Sequence, residues 1–141
     1  MTFNPGITLP QLNQMNRGNM VGHLGIEFTE IGPDYVCAKM PVDERTRQPM
    51  GLLHGGASVA LAETLGSIAA YCTIDPAKQY CVGLDINANH VRGVSGGFVY
   101  GKASPLHVGR TTQVWEIRIT DEAGKLVCIS RITMAVLDRK L

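Results

Sequence analysis

The sequence predicts an α+β protein in which an antiparallel sheet is wrapped around one long central helix, and three features carry that prediction. The run Ala57 to Tyr71 is built almost wholly of Ala, Leu, Val, Gly and Ser, and a helix apolar nearly all round is expected to be buried nearly all round. After Asp75-Pro76 four strand-like runs follow one another, Tyr80 to Arg92, Phe98 to Pro105, Thr111 to Thr120 and Leu126 to Leu137, with no helical period between them. Before the helix, Ile26 to Ile31 and Tyr35 to Val42 flank the turn signal Gly32-Pro33-Asp34 and read as a hairpin.

Taken in order, Thr8 followed by Pro10 marks a helix start, and Leu9, Leu12 and Met15 give it a short apolar stripe before Gly18. The hairpin comes next. The glycine-rich stretch Gly51 to Gly56 then leads into the central helix, whose many small residues imply that another backbone lies close against it. The turns between the later strands are Gly93 to Gly97, Leu106 to Arg110 and Asp121 to Lys125. In the Thr111 to Thr120 run the residues Gln113, Trp115, Ile117 and Ile119 fall on one face, as a half-buried strand requires.

The whole chain, 1–141, is the length of one domain. Hydrophobic residues make up 45% and charged residues 18%, which excludes a disordered chain. A net charge of +1 with no Lys/Arg run argues against a nucleic-acid partner. Gln48 to Ile74 contains a single charged residue, Glu63, yet Gln48, Pro49, His54 and Gly55-Gly56 interrupt its first third. What remains is shorter than the roughly 20 apolar residues a bilayer core needs, so no membrane span is expected. Cys37, Cys72, Cys81 and Cys128 are widely spaced, form no CxxC, and no signal segment occupies Met1 to Pro10. Reduced cysteines in a cytoplasmic protein are expected.

Chemistry concentrates around the central helix. Glu63 is the only charged side chain between Arg47 and Asp75, and burying a carboxylate there without a partner would be costly. Ser67 follows it on the same helical face. Gly55 and Gly56 are expected to precede the helix immediately, where backbone N–H groups lack intrahelical acceptors and the dipole favours negative charge. His54 and Gln48 add two polar side chains near the same end. Each alone is as well explained by packing or solvation; together with a carboxylate they resemble a site.

The string Gln48 to Glu63, QPMGLLHGGASVALAE, is similar to the signature of thioesterases of the 4-hydroxybenzoyl-CoA type, which have the hotdog fold. Within that group the chain looks closest to the 1,4-dihydroxy-2-naphthoyl-CoA thioesterases of menaquinone biosynthesis. The likeness continues through VGLDINANHVR (Val82 to Arg92) and LHVGRT (Leu106 to Thr111). It implies that Glu63 is the catalytic carboxylate, that the Gly55 N–H and the Gln48 amide polarise the thioester carbonyl, that His54 helps hold the site and that Ser67 assists the water or the carboxylate. It further implies coenzyme A contacts from Asn89, His90, Val91, Arg92, Leu106, His107, Gly109 and Arg110, with Val82 and Gly83 beside the pantetheine arm.

The expected reaction is hydrolysis of an acyl-CoA to a free acid and coenzyme A, with neither metal nor cofactor beyond the coenzyme A of the substrate. Glu63 acts as nucleophile or as general base, and the sequence does not choose. Proofreading of acyl-carrier-protein thioesters is the alternative within enzymes; an acyl-CoA binding module is the alternative outside them, and it leaves Glu63 unexplained. An apolar helix and open strand edges imply a dimer at least. The resemblance adds a tetramer, as a dimer of dimers, with residues of two subunits in each site.

Overall fold

Thr8 starts the first helix as its side chain requires. In the computed structural model of the protein, which describes residues 3–140, the Thr8 hydroxyl accepts from the Gln11 N–H and the Gln11 side chain accepts from the Thr8 N–H. This reciprocal cap opens α1 (Leu9–Met15). Leu12 is buried and Leu9 packs at the core edge, but Met15 is 49% exposed, so the expected three-residue stripe is two residues wide. The Asn13 side chain holds the helix to the sheet, donating to Phe28 O at 3.0 Å and accepting from Phe28 N at 2.8 Å. A four-residue helix, α2 (Met20–His23), follows; it was not expected, although Asn19 caps it by accepting from the Val21 and Gly22 N–H groups.

The hairpin forms as expected from β1 (Glu27–Ile31) and β2 (Val36–Pro41). Next comes α3 (Gly55–Tyr71), then β3 (Gln79–His90), β4 (Phe98–Val108), β5 (Thr112–Thr120) and β6 (Leu126–Asp138). The six strands make one sheet in the order β1-β2-β4-β5-β6-β3, antiparallel throughout. This is the hotdog arrangement, with α3 lying on the core face. On β5, Gln113, Trp115, Ile117 and Ile119 are all buried, as their alternation predicts.

The small residues of α3 and the sheet meet at distances no larger side chain allows. A β-carbon on Gly66 would collide with Ile132 Cγ2, and one on Gly101 of β4 would come within 2.5 Å of Leu65 Cδ1. This close approach is what the helix composition called for.

Three expectations need correction. The helix begins at Gly55, not Ala57, so Gly55 and Gly56 are its first two residues instead of its approach. It is not buried all round: Gly56 and Glu63 are exposed, and Val59, Ala60, Thr64, Ser67 and Ile68 are half-buried, leaving one face open. Lastly, β4 does not stop at Pro105. Pro105 stays in register opposite Trp115, a bulge leaves Leu106 without a partner, and the ladder resumes at His107 opposite Val114, so Leu106, His107 and Val108 lie in the strand and not in the turn.

Replacing Gly66 by Val forces two branched side chains into one space, and overpacking of this kind typically costs about 1–3 kcal/mol. Urea unfolding of Gly66→Val is expected to show that loss; an unchanged midpoint would contradict the helix–sheet packing described.

Candidate active site

His54 determines which backbone donors at the start of α3 remain available. As the N-cap its Nδ1 accepts from the Gly56 N–H at 2.7 Å, and its carbonyl accepts from the Ala57 N–H at 2.9 Å and the Ser58 N–H at 3.2 Å. Of the first four N–H groups of the helix, that of Gly55 alone has no acceptor among the described residues. It sits at the positive end of a 17-residue helix.

Gln48 is fixed nearby. Its N–H donates to Leu52 O at 2.7 Å, its carbonyl accepts from the Gly51 N–H at 2.9 Å, and its side-chain oxygen accepts from the Met50 N–H. The amide nitrogen is therefore the end left to donate. Gln48 and Gly55 line one groove of about 410 Å³ together with Ser58, His90, Val91 and Arg92. Two N–H donors facing one cleft can hold a developing oxyanion.

Glu63 stands two turns further along α3. It is exposed, has no salt-bridge partner among the described residues, and borders Gly83 of β3, where a β-carbon would come within 3.0 Å of Glu63 Oε1. Of the two readings the sequence leaves open for Glu63, burial in the helix or a stripe that meets solvent, the structure has the second: the carboxylate is on the open face. Ser67 follows on that face, half-buried, with no hydrogen bond to Glu63. The Thr64 hydroxyl donates to Ala60 O at 2.7 Å.

Within one chain these two groups cannot meet on one carbonyl. Eight residues of helix place Gly55 and Glu63 about 12 Å apart along the axis, whereas oxyanion donors act at about 3 Å. The strand residues divide in the same way. His90 pairs with Cys128, which is level with Ile119 and Gly101; Val82 pairs with Ala135, which is level with Thr112. Asn89, His90, Val91 and Arg92 therefore lie at the Gly55 end of the sheet. Val82, Gly83, Leu106, His107, Gly109 and Arg110 lie at the other, about 27 Å away along β3. His90, grouped with the nucleotide contacts by resemblance, abuts Gly55: a β-carbon there would come 2.9 Å from His90 Nε2.

Residues of α2 also reach the Glu63 region, bordering a cavity of about 290 Å³ beside it. The sequence signal for them was Asn19 as a cap before Met20, Val21 and Leu24. A larger hollow of about 590 Å³ between α1 and Tyr71 touches none of the groups above.

No thiol is poised as a nucleophile. Burial pushes all four cysteines up from the ordinary thiol range, Cys72 to about 11, and at Cys37 the Glu30 carboxylate adds to the effect while Lys102 opposes it. Among the described residues no group of three His, Cys, Asp or Glu could hold a metal ion, and no helix is long and apolar enough to cross a membrane.

Residues 50–128 match the model of the thioesterase superfamily. The chain is 56% identical over 97% of its length to the whole of a 1,4-dihydroxy-2-naphthoyl-CoA hydrolase from Escherichia coli strain K12. It is 53% identical, over 97% of its length and 99% of the relative, to a proofreading thioesterase from Cronobacter turicensis. Among solved structures, a mutant thioesterase from Pseudomonas aeruginosa superposes with a TM-score of 0.96 at 47% identity, covering 99% of this chain and 100% of that one.

Because their thiols are held protonated, the four cysteines are expected to react slowly with iodoacetamide at pH 7.5 in the native protein and fast in urea. Rapid native labelling of Cys72, read by mass spectrometry, would contradict its burial.

Proposed function

The chain belongs to the thioesterase superfamily and is a thioester hydrolase of the hotdog fold, and from that premise we propose that it cleaves an aromatic acyl-CoA at a site shared by two subunits. The substrate we propose is 1,4-dihydroxy-2-naphthoyl-CoA, of menaquinone biosynthesis, which rests on the 56% identity to the hydrolase named for it. One observation carries the shared site: the free N–H donor of Gly55, with Gln48 beside it in one groove, and the carboxylate of Glu63 lie too far apart along one rigid helix to serve the same carbonyl.

The sheet offers a way to join them. Its β1 edge is five residues long, bulged after Phe28 and charged at Glu27 and Glu30, which discourages pairing. The β3 edge is twelve residues long and exposes Tyr80, Val82 and Leu84. Antiparallel pairing of β3 with the β3 of a second copy, centred near Ile86, sets His90 and Gly55 of one subunit opposite the partner's Gly83 and Glu63. Two such dimers form the proposed tetramer. Four free thiols suit the cytoplasm.

In this arrangement the thioester oxygen is held by the Gly55 N–H and the Gln48 amide while His54 fixes the helix start. The partner's Glu63 either attacks the carbonyl carbon, releasing the thiolate and giving an anhydride that water then opens to the free acid and the restored carboxylate, or takes a proton from a water that attacks the carbonyl carbon and expels the thiolate. Ser67 orders the water or the carboxylate. His90, which abuts Gly55, lies beside the thioester; the pantetheine arm passes Val82 and Gly83, and the nucleotide meets Asn89, Val91 and Arg92 of one subunit and Leu106, His107, Gly109 and Arg110 of the other. The scheme uses no metal or cofactor.

A second reading, proofreading of acyl-carrier-protein thioesters, draws on the 53% identity to a proofreading thioesterase. Turnover of matched acyl-CoA and acyl-carrier substrates decides between them.

Both routes need a carboxylate. Glu63→Gln keeps the shape but not the charge, and is expected to lower kcat on the best acyl-CoA by about 10² to 10⁴ with folding intact. Near-normal kcat would overturn the proposal.

A further inference from the structure

Ser58 is the polar residue at the donor end of α3 to which the proposed scheme gives no task. It is 1% exposed and lines the groove of about 410 Å³ together with Gln48, Gly55 and His90. Its N–H donates to His54 O at 3.2 Å, but its hydroxyl bonds to nothing among the described residues. Burying a hydroxyl without a partner costs stability. Alanine, which α3 uses repeatedly, would fill the same space without that cost, so packing alone does not call for serine here.

The hydroxyl has a definite direction. Residues three apart on a helix share a face, and each side chain leans over the turn N-terminal to its own Cα. Ser58 therefore leans over Gly55, which has no side chain to block it. Every fully sealed side-chain nitrogen or oxygen among the described residues has a hydrogen-bond partner, so the unpartnered Ser58 oxygen is not sealed and opens onto the groove it borders. Thr64, on the same helix, turns its hydroxyl back to Ala60 O at 2.7 Å, the usual resort of Ser and Thr in a helix; Ser58 does not. The His90 imidazole occupies the place a side chain at Gly55 would take, since a β-carbon there would lie 2.9 Å from its Nε2. Two polar side chains thus converge on the first turn of α3.

We propose that Ser58 is a further catalytic residue, whose hydroxyl, beside His90, donates to the thioester sulfur as the carbon–sulfur bond breaks. The inference rests on the thioesterase reading of the site. There the carbonyl oxygen takes the Gly55 N–H and the Gln48 amide, and the partner's Glu63 supplies the attack. The same groove continues to Val91 and Arg92, so the coenzyme side of the thioester faces into it, and the first atom on that side is sulfur. When the bond breaks, its electron pair stays on sulfur. The Ser58 hydroxyl keeps its own proton and holds the thiolate by a charge-assisted hydrogen bond.

The test uses the full-length protein and two benzoyl thioesters, one of N-acetylcysteamine, whose alkyl thiolate leaves poorly, and one of 4-nitrothiophenol, whose aryl thiolate leaves readily. Ser58→Ala is expected to lower kcat/KM on the first by about 10- to 100-fold and on the second by less than about 3-fold. Looser packing or a weakened oxyanion site would lower both alike. Ser58→Thr restores the hydroxyl and should recover most of the loss. If Ser58→Ala does not fold, Ser58→Cys, with a similar volume and a weaker donor, stands in. A second arm needs no hydrolysis: the thiol of bound free coenzyme A is titrated by its thiolate absorbance, with the desulfo-coenzyme A complex as blank. It should ionise at a pH lower by about 0.5 or more in the wild type than in Ser58→Ala. If no thioester is turned over and that titration still depends on Ser58, the hydrolytic reading fails and the sulfur contact stands. Equal losses on the two thioesters, with a thiol titration indifferent to Ser58, would overturn the inference.

Discussion

The docking of α3 against the sheet is the constraint from which the site follows. Gly66 lies on Ile132 and Leu65 on Gly101 with no room between them, and the buried Leu61, Ala62, Ala69 and Ala70 continue the same seam. A helix held this closely cannot bend or slide, so the positions of its polar groups are fixed by its own rise. Gly55 marks its positive end and Glu63 its open face two turns on. Neither can reach the other's reactants, whatever the side chains do.

That rigidity also bears on why Glu63 has no hydrogen-bond or ion-pair partner among the described residues. An ion pair or hydrogen bond to the carboxylate would stabilise this one chain while occupying the group a substrate must meet. The face that holds it is flanked by the long β3 edge, which exposes Tyr80, Val82 and Leu84, and in the proposed assembly a second subunit covers both. The proposed pairing of β3 edges supplies strand hydrogen bonds and apolar cover, and closes the donor end of one helix over the carboxylate of the other. Specific chemistry and assembly thus draw on one geometric fact.

Much of this was legible in the sequence because it depends on local rules. Thr8 with Gln11, the alternation of Gln113 to Ile119, and the small residues of Ala57 to Tyr71 each encode their own structure, and the structure follows them. The start of α3 was misplaced by two residues because Gly55 and Gly56 read as a loop, whereas His54 supplies a cap and turns them into helix. The bulge after Pro105 was hidden because a proline in a strand run normally ends it. Four residues of α2 are too few for a periodic signal, and only Asn19 announces them. The exposure of Glu63 was one of two readings the sequence left open, since composition alone does not say which stripe of an apolar helix meets solvent. The resemblance gathered His90 with Arg110; their distance apart is a property of sheet register, which sequence spacing does not contain.

Subunit mixing tests the shared site most directly. Glu63→Gln and Gln48→Ala proteins, each nearly inactive, are denatured together and refolded. If every site takes its carboxylate from one subunit and its carbonyl donors from the other, half of the randomly formed dimers hold one fully intact site, and activity should return to roughly a quarter of wild type. If both groups act from the same subunit, no mixed dimer contains an intact site and the refolded mixture would stay as inactive as its parents, which would contradict the account.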